Sequence, residues 1–316
     1  MGEKINFTIE LNNLTKYYGS HRGIEDLTLN MKSGIIFGFL GPNGAGKTTT
    51  IRCLLGILRP TRGSIKLFGR EINDWSSESF LKEKIGYLPG EFDLYKHFTV
   101  KETLDYFASL RKKESSQRKK LIALFDLDES RKVTQLSKGN KQKVGLVQAL
   151  MHDPDLLILD EPTAGLDPLI QQRLYTVLKD FRDRGKSIFF SSHNLPEVQK
   201  IADEVAVIKE GFLVTHDLIE HLSQKIHRKV LVSLSEPLEE NVVSHLPFVS
   251  DLQKFPANGN EFIFRYSLWL NSLHPNFAEL FQALKTLKVK DVVIPEPSLE
   301  DYFLQYYKEE EAQNVD

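Results

Sequence analysis

The sequence predicts an α/β protein whose largely parallel sheet is covered by helices on both faces, followed by a small α+β domain of ferredoxin-like order. Three observations predict it. Short apolar strands alternate with amphipathic helices up to residue 222, as expected for strands buried on both faces. A glycine-rich loop at 41–48 joins a predicted strand to a predicted helix. Beyond residue 223 the runs shorten and read strand, helix, strand, strand, helix, strand, the βαββαβ series.

The bulk numbers suit this division. A chain of 316 residues exceeds what one core usually holds, since cores stop growing at roughly 250–300 residues. Apolar residues make up 41% and charged residues 27%, values of a globular rather than a disordered chain. A net charge of -2 supplies no basic footprint for nucleic acid, so none is expected as a partner. The single cysteine, Cys53, forms no internal disulfide and reads as a buried apolar group. The start, MGEKINFTIE, lacks the basic-then-apolar pattern of a secretory signal. Asn6 stands where a myristoylation site needs Ser or Thr. No apolar run reaches the ~18 residues of a membrane span. The expectation is a cytosolic chain unless a partner holds it at a membrane.

Strands are predicted over Phe7–Leu11, Leu27–Met31 and Gly34–Leu40, which are rich in Val, Ile and Phe. A helix is predicted over Lys47–Leu58, with Ile51, Leu54, Leu55 and Leu58 on one face. The stretch from Ser76 to Leu136 reads as a helical insert, with amphipathic helices over Val100–Leu110 and Arg118–Phe125. Strands return at Leu156–Leu159, Ser187–Ser191 and Val205–Lys209, with a long helix over Leu169–Arg184. A first domain thus spans 1–222, with a helical subdomain over about 76–148, and a second spans 223–316.

In the second domain the predicted order is Val230–Ser235, helix Glu239–His245, Phe248–Phe255, Glu261–Tyr266, helix Phe277–Leu287 and Asp291–Pro295. A last helix follows Pro297, opened by Ser298 and Asp301 in a capping-box pattern. Its Leu299, Tyr302, Phe303 and Tyr306 share one face, expected to pack against the first domain. Glu309–Asp316 reads as an acidic frayed end.

Two motifs carry chemistry. Gly41, Pro42, Asn43, Gly44, Ala45, Gly46, Lys47 and Thr48 fit G-x-x-x-x-G-K-[ST] after the strand IIFGFL and before a helix, which defines a P-loop. Phosphate oxygens crowd the backbone of such a loop, so side chains are absent at Gly41, Gly44 and Gly46. Lys47 is assigned to the β and γ phosphates and Thr48 to Mg²⁺, with Thr49 completing the ATP-binding segment. The second motif, LLILDE at 156–161, is an apolar strand ending in two carboxylates. A carboxylate at a buried strand end is costly without a cation, which points Asp160 to Mg²⁺. Glu161 is then placed to polarise the attacking water as general base. Together the motifs predict a P-loop NTPase with a RecA-like core.

With these motifs in place, the chain resembles the ATP-binding cassette (ABC) ATPases. LSKGN at 136–140 is similar to that family's LSGGQ signature, retaining Ser137 and Gly139 but departing at Lys138 and Asn140. AGLD at 164–167 resembles the D-loop, ending in Asp167, and SSH at 191–193 resembles the H-loop, ending in His193. The resemblance implies that His193 contacts the γ phosphate, that Tyr18 of KYYGS stacks on adenine, and that Ser137, Gly139 and Asn140 act on ATP held by a second chain. It covers about Ile9 to Leu222, and EPSLEDYFLQYY more loosely resembles the ends of cassettes serving exporters with a separate permease chain.

The implied protein is a Mg²⁺-ATP-hydrolysing subunit, peripheral on the cytoplasmic face of the membrane, pairing as a homodimer or heterodimer and driving a transmembrane permease. The alternative is a non-transport cassette acting on nucleic acid or translation. Its long coiled coils or second cassette are not found between or beyond these motifs. The basic residues Arg111–Lys113 and Arg118–Lys120 read as a solvated surface, with anionic lipid as the other reading.

One segment departs from the family pattern. In LPGEFDLY, residues 88–95, Gly90 stands where the resemblance leads one to expect a glutamine reaching the Mg²⁺ and water. Pro89 and Gly90 suit a type II turn, which needs positive φ at its second central residue. Glu91 is expected to take over part of the polar role, with Phe92, Leu94 and Tyr95 as an apolar rim for a permease helix.

Overall fold

The alternation of the first predicted strands extends further than the apolar residues alone suggest. In this computed structural model, which describes residues 6–72, 79–111, 115–225, 228–238, 249–255, 264–270, 277–285 and 287–295, β1 (Phe7–Tyr18) and β2 (His21–Lys32) form a long antiparallel hairpin. In β2, Leu27, Leu29 and Met31 are buried while Asp26, Thr28 and Asn30 face out, the period of two of a half-buried strand. All five residues of β3 (Ile36–Leu40) are buried. Helix α1 (Lys47–Leu54) stops short of the predicted Leu58, because Gly56 at φ 68 ends the turn. Then β4 (Arg62–Leu67) and β5 (Arg70–Glu71) complete a sheet of order β2-β1-β4-β5.

The predicted helical insert needs one correction. Helix α2 (Ser79–Glu83), α3 (Val100–Ser109) and α4 (Arg118–Leu124) lie there, but so does β6 (Ile85–Leu88), which pairs in parallel with the next core strand. Its four residues are too short for a period to show, and Gly86 weakens the strand signal. Thr99 and Glu102 close a reciprocal capping box at the start of α3. The basic residues are partly spent on structure. Arg118 pairs with Asp105 and Glu129, and Arg111 donates to the Ile85 carbonyl at 3.3 Å.

The remaining elements of this unit are α5 (Lys138–Leu150), β7 (Leu156–Asp160), α6 (Pro168–Asp183), β8 (Ser187–Ser192), α7 (Leu195–Ile201), β9 (Glu204–Lys209) and β10 (Phe212–Leu218). The second sheet has the order β10-β9-β3-β8-β7-β6. Its pairs are parallel except β9 with β10. Phe37, Phe39 and Phe189 fill its centre, Phe37 stacking on Phe189 at 5.7 Å between rings. The strand ends β3 and β7 therefore stand on either side of β8, on the carboxyl edge where ligands bind in such sheets.

The chain divides into two compact units, Met1–Leu218 and Ile219–Asp316. The second holds α8 (Ile219–Lys225), β11 (Arg228–Leu234), β12 (Val249–Phe255), β13 (Phe264–Leu270), α9 (Phe277–Leu284) and β14 (Val289–Val293). Its strands take the order β12-β13-β11-β14 with every neighbouring pair antiparallel. Val230, Val232, Leu234, Tyr266, Leu268 and Leu270 pack with Leu280 and Leu284 of α9. The ferredoxin-like reading also needs the helix expected over 239–245, which lies outside the described residues, as does the helix expected after Pro297. Among the described residues no helix is long and apolar enough to cross a membrane.

Candidate functional site

The glycine loop between β3 and α1 is shaped first by its own surroundings. A Cβ on Gly41 would sit 2.3 Å from the Ile208 carbonyl oxygen, and one on Gly46 2.6 Å from that of Gly23. Gly44 and Gly46 adopt φ of 81 and 106, which glycine tolerates and other residues rarely do. Backbone packing and conformation thus require these glycines before any phosphate is considered. Gly46 caps α1 without a side-chain bond, leaving the helix amino end open toward the loop.

Lys47 and Thr48 lead from this loop to the end of β7. Lys47 is 5% exposed, and its ammonium donates to the carbonyls of Gly41 at 2.7 Å and Pro42 at 3.0 Å. Burial lowers its pKa, opposed by the negative charges of Glu161 and Asp160. Thr48 Oγ1 donates to Asp160 Oδ2 at 2.8 Å. Asp160 Oδ1 accepts from the Ser191 hydroxyl, since Asp160 and Ser191 are register partners between β7 and β8. Tyr87, on β6, has its phenol pushed up to about 12, by burial first and then by Asp160.

Glu161 follows in the left-handed region at φ 49, a conformation that costs a non-glycine residue about 1–3 kcal/mol unless its surroundings impose it. Two residues impose it. Its amide donates to the Ser191 carbonyl at 3.2 Å and hydroxyl at 3.1 Å, while its carbonyl accepts from Gln142 Nε2 at 3.3 Å. Gln142 also donates to the Pro162 carbonyl at 3.2 Å. The turn aims Glu161 Oε1 between His193 Nδ1, at 3.1 Å, and Lys47 Nζ, at 3.7 Å. Sequence reasoning missed Gln142 and the role of Ser191. A buried glutamine in α5 bears no motif, and only its backbone partners reveal it.

The segment after β6 departs from expectation. Gly90 is not among the residues of positive φ, so Pro89 and Gly90 do not form the expected type II turn. What distinguishes Gly90 is proximity: a Cβ there would lie 3.3 Å from both Cγ and Oδ2 of Asp160. Glu91 is exposed. Of the expected apolar rim, Leu94 is buried and Phe92 is half-buried, packed where a Cβ on Gly145 would meet its ring at 2.5 Å, and both line an open groove beside Tyr87, Phe107 and Leu110. Of the three, Tyr95 stays exposed.

The other expected residues lie around this centre or on its flank. Tyr18 is exposed, its hydroxyl 3.3 Å from Thr49 Oγ1, with Lys16 Nζ 5.6 Å from its ring centroid. Ser137 caps α5 by accepting from the Asn140 amide at 3.3 Å. Gly139 abuts the Gly165 carbonyl, which a Cβ would approach to 2.5 Å. Asp167 caps α6 by accepting from the Ile170 amide at 3.0 Å. Ser137 and Asp167 thus have structural work within this chain, and both sit at exposed helix starts. Among the described residues no cluster of three or more His, Cys, Asp and Glu could hold a metal. Thr48 and Asp160, the two residues expected to hold Mg²⁺, stand side by side, and two oxygen donors that leave room for phosphate and water suit that ion.

A glycine loop feeding α1, a lysine beneath it and two acids at the end of β7, one strand removed from β3, define the class as a P-loop nucleoside triphosphatase. The profile of the ABC transporter family matches residues 24–164. Over 301 residues the chain is 34% identical to the bacitracin transport ATP-binding protein BcrA of Bacillus licheniformis, spanning 94% of this chain and 96% of that protein. It is 35% identical over 222 residues to Nod factor export ATP-binding protein I of Burkholderia orbicola, spanning 67% and 72%. The solved ATP-binding subunit of an ABC transporter matches with a TM-score of 0.63 and 28% identity, covering 68% of this chain and 91% of that one. The chain belongs to the ABC transporter family as an ATP-binding subunit, and it is an ATP hydrolase.

Proposed function

We propose that this chain energises export through a separate membrane permease, with Glu161 as the general base of ATP hydrolysis. The observation that carries the reading is the placement of Glu161 Oε1 between His193 and Lys47. Lys47 and the loop from Gly41 to Thr49 hold the phosphates, and Tyr18 offers its exposed ring to adenine. Glu161 accepts a proton from the attacking water, and His193, at the end of β8, contacts the γ phosphate. Mg²⁺, when bound by Thr48 and Asp160, supplies charge stabilisation of the phosphates.

Two such chains, or this one and a similar partner, sandwich two ATP molecules, each site taking Ser137, Gly139 and Asn140 from the opposite chain and closing with Asp167 at the seam. Export is supported by the names of the relatives, one for bacitracin transport and one for Nod factor export. Coupling is supported by a groove of about 570 Å³ lined by Tyr87, Phe92, Leu94, Phe107, Leu110 and Arg111. Leu110 is 64% exposed at its edge, and an apolar helix from a permease fits there. The test is affinity purification of the full chain from detergent-solubilised membranes. Recovery of a polytopic membrane protein that raises its ATPase rate supports the reading. Cosedimentation with RNA or DNA at physiological salt, with no membrane protein recovered, overturns it.

A further inference from the structure

Beneath the loop that presents His193 lies a carboxyl group for which hydrolysis, as described above, has no use. Glu197, in the first turn of α7, is 5% exposed. Its Oε2 accepts from the Ser192 hydroxyl at 2.7 Å, and Ser192 Oγ in turn accepts from the Asn194 amide at 2.9 Å. The Glu197 amide closes the turn by donating to Asn194 Oδ1 at 3.3 Å. The residue between Ser192 and Asn194 is His193, so each bond that Glu197 makes here bears on the backbone carrying that imidazole.

The other oxygen of the same carboxyl is not used in this way. Its Oε1 is buried without a hydrogen-bond partner among the described residues. No lysine or arginine among the described residues forms an ion pair with Glu197, and burial raises its pKa. A buried acid without a counter-charge is costly unless it is held neutral and hydrogen-bonded. An apolar residue would fill the volume at lower cost, so its retention needs a polar task.

We infer that Glu197 is a positioning residue for ATP hydrolysis: through Ser192 and Asn194 it fixes the turn carrying His193, so that the imidazole holds its placement beside Glu161. The inference rests on the reading of Glu161 and His193 as the hydrolytic pair. Glu197 itself touches neither water nor phosphate. It acts through Ser192 and Asn194.

The test is steady-state ATPase of the full chain with Glu197→Ala, Glu197→Gln and Ser192→Ala, beside Glu161→Gln and His193→Ala. Misplacing a reacting group by about 1 Å costs on the order of 100-fold, and a partial displacement of His193 should cost Glu197→Ala about tenfold in kcat. Its KM for ATP should stay within about twofold, because the phosphate loop is untouched. Glu197→Gln keeps an acceptor for Ser192 and should restore at least about half of the rate. If Glu197→Ala fails to fold, Ser192→Ala breaks the same link without a large cavity and should show the same kcat-only loss, about threefold. Unchanged kcat in Glu197→Ala or, should that variant not fold, in Ser192→Ala overturns the inference. So does a loss in Glu197→Gln as large as that in Glu197→Ala. Should Glu161→Gln and His193→Ala turn over ATP normally, the reading of the hydrolytic pair has failed instead.

Discussion

His193 Nδ1 lies 3.1 Å from Glu161 Oε1, although the two residues come from the ends of different strands and are 32 apart in the chain. β7 and β8 run in parallel with Asp160 opposite Ser191, so one further residue along β7 and two along β8 bring the acid and the imidazole together. A water attacking a γ phosphate has to be oriented on one side and the phosphate held on the other, and this pair offers a group for each. His193→Ala is therefore expected to lower kcat by about 100-fold, in the range of such proton and positioning roles, while ATP still binds. Nucleotide titration beside a steady-state rate checks both halves.

Gly90 tests how closely its segment presses on Asp160, the acid proposed to hold Mg²⁺. A Cβ at 3.3 Å from Asp160 Cγ and Oδ2 forces one of them to give by a few tenths of an ångström. Gly90→Ala is expected to lower kcat severalfold and to raise the Mg²⁺ concentration for half-activity. Its stability should change by no more than about 1 kcal/mol, since no left-handed φ is disturbed. Gly90→Gln is expected to bring no gain, as its Cβ meets the same carboxylate. A magnesium titration of each variant is the measurement.

Gln142 should matter out of proportion to its distance from any motif. Truncation to alanine removes the donor to the Glu161 and Pro162 carbonyls. Leaving such buried acceptors unmet costs about 1–3 kcal/mol, and releases the strained turn at Glu161. Gln142→Ala is expected to lose that much in urea denaturation and to lose activity beyond the loss of folded protein.

Glu197 gives the chain a sign of pH dependence opposite to that of a salt-bridged carboxylate. Burial first raises its folded pKa and the nearby Glu161 charge adds to this, against the Ser192 and Thr163 hydroxyls and His193. Tyr175 faces the same group and is pushed up to about 12, by burial and then by Glu197. A folded pKa above the unfolded one means a contribution fully present below the usual carboxylate range and lost as pH rises through the folded value. Glu197→Gln should therefore melt increasingly higher than the parent protein as pH rises through that window, and no higher below it. Melting curves at pH 4 to 8 read the difference.

The sequence carried the catalytic motifs well because their chemistry needs particular residue types at fixed spacing. GPNGAGKT and LLILDE name their loop and strand end, and both meet in the fold where their order suggests. What could not be read was what depends on contacts between distant segments. Gln142, Ser191 and Glu197 are ordinary polar residues until the strands bring them beside Glu161 and His193. The type II turn at Pro89–Gly90 failed because glycine has two uses, positive φ and close approach, and the dipeptide does not say which applies. β6 was hidden for a related reason, being too short to show a period and owing its existence to β7 beside it.

Glu161→Gln tests the central claim most directly. The substitution keeps the size and the turn but cannot take a proton, so ATP should still bind while turnover falls by at least about 100-fold. Size-exclusion chromatography with Mg²⁺-ATP should then show the chain accumulating as a closed dimer. Turnover at the parent rate, with no ATP-dependent dimer, would contradict the account.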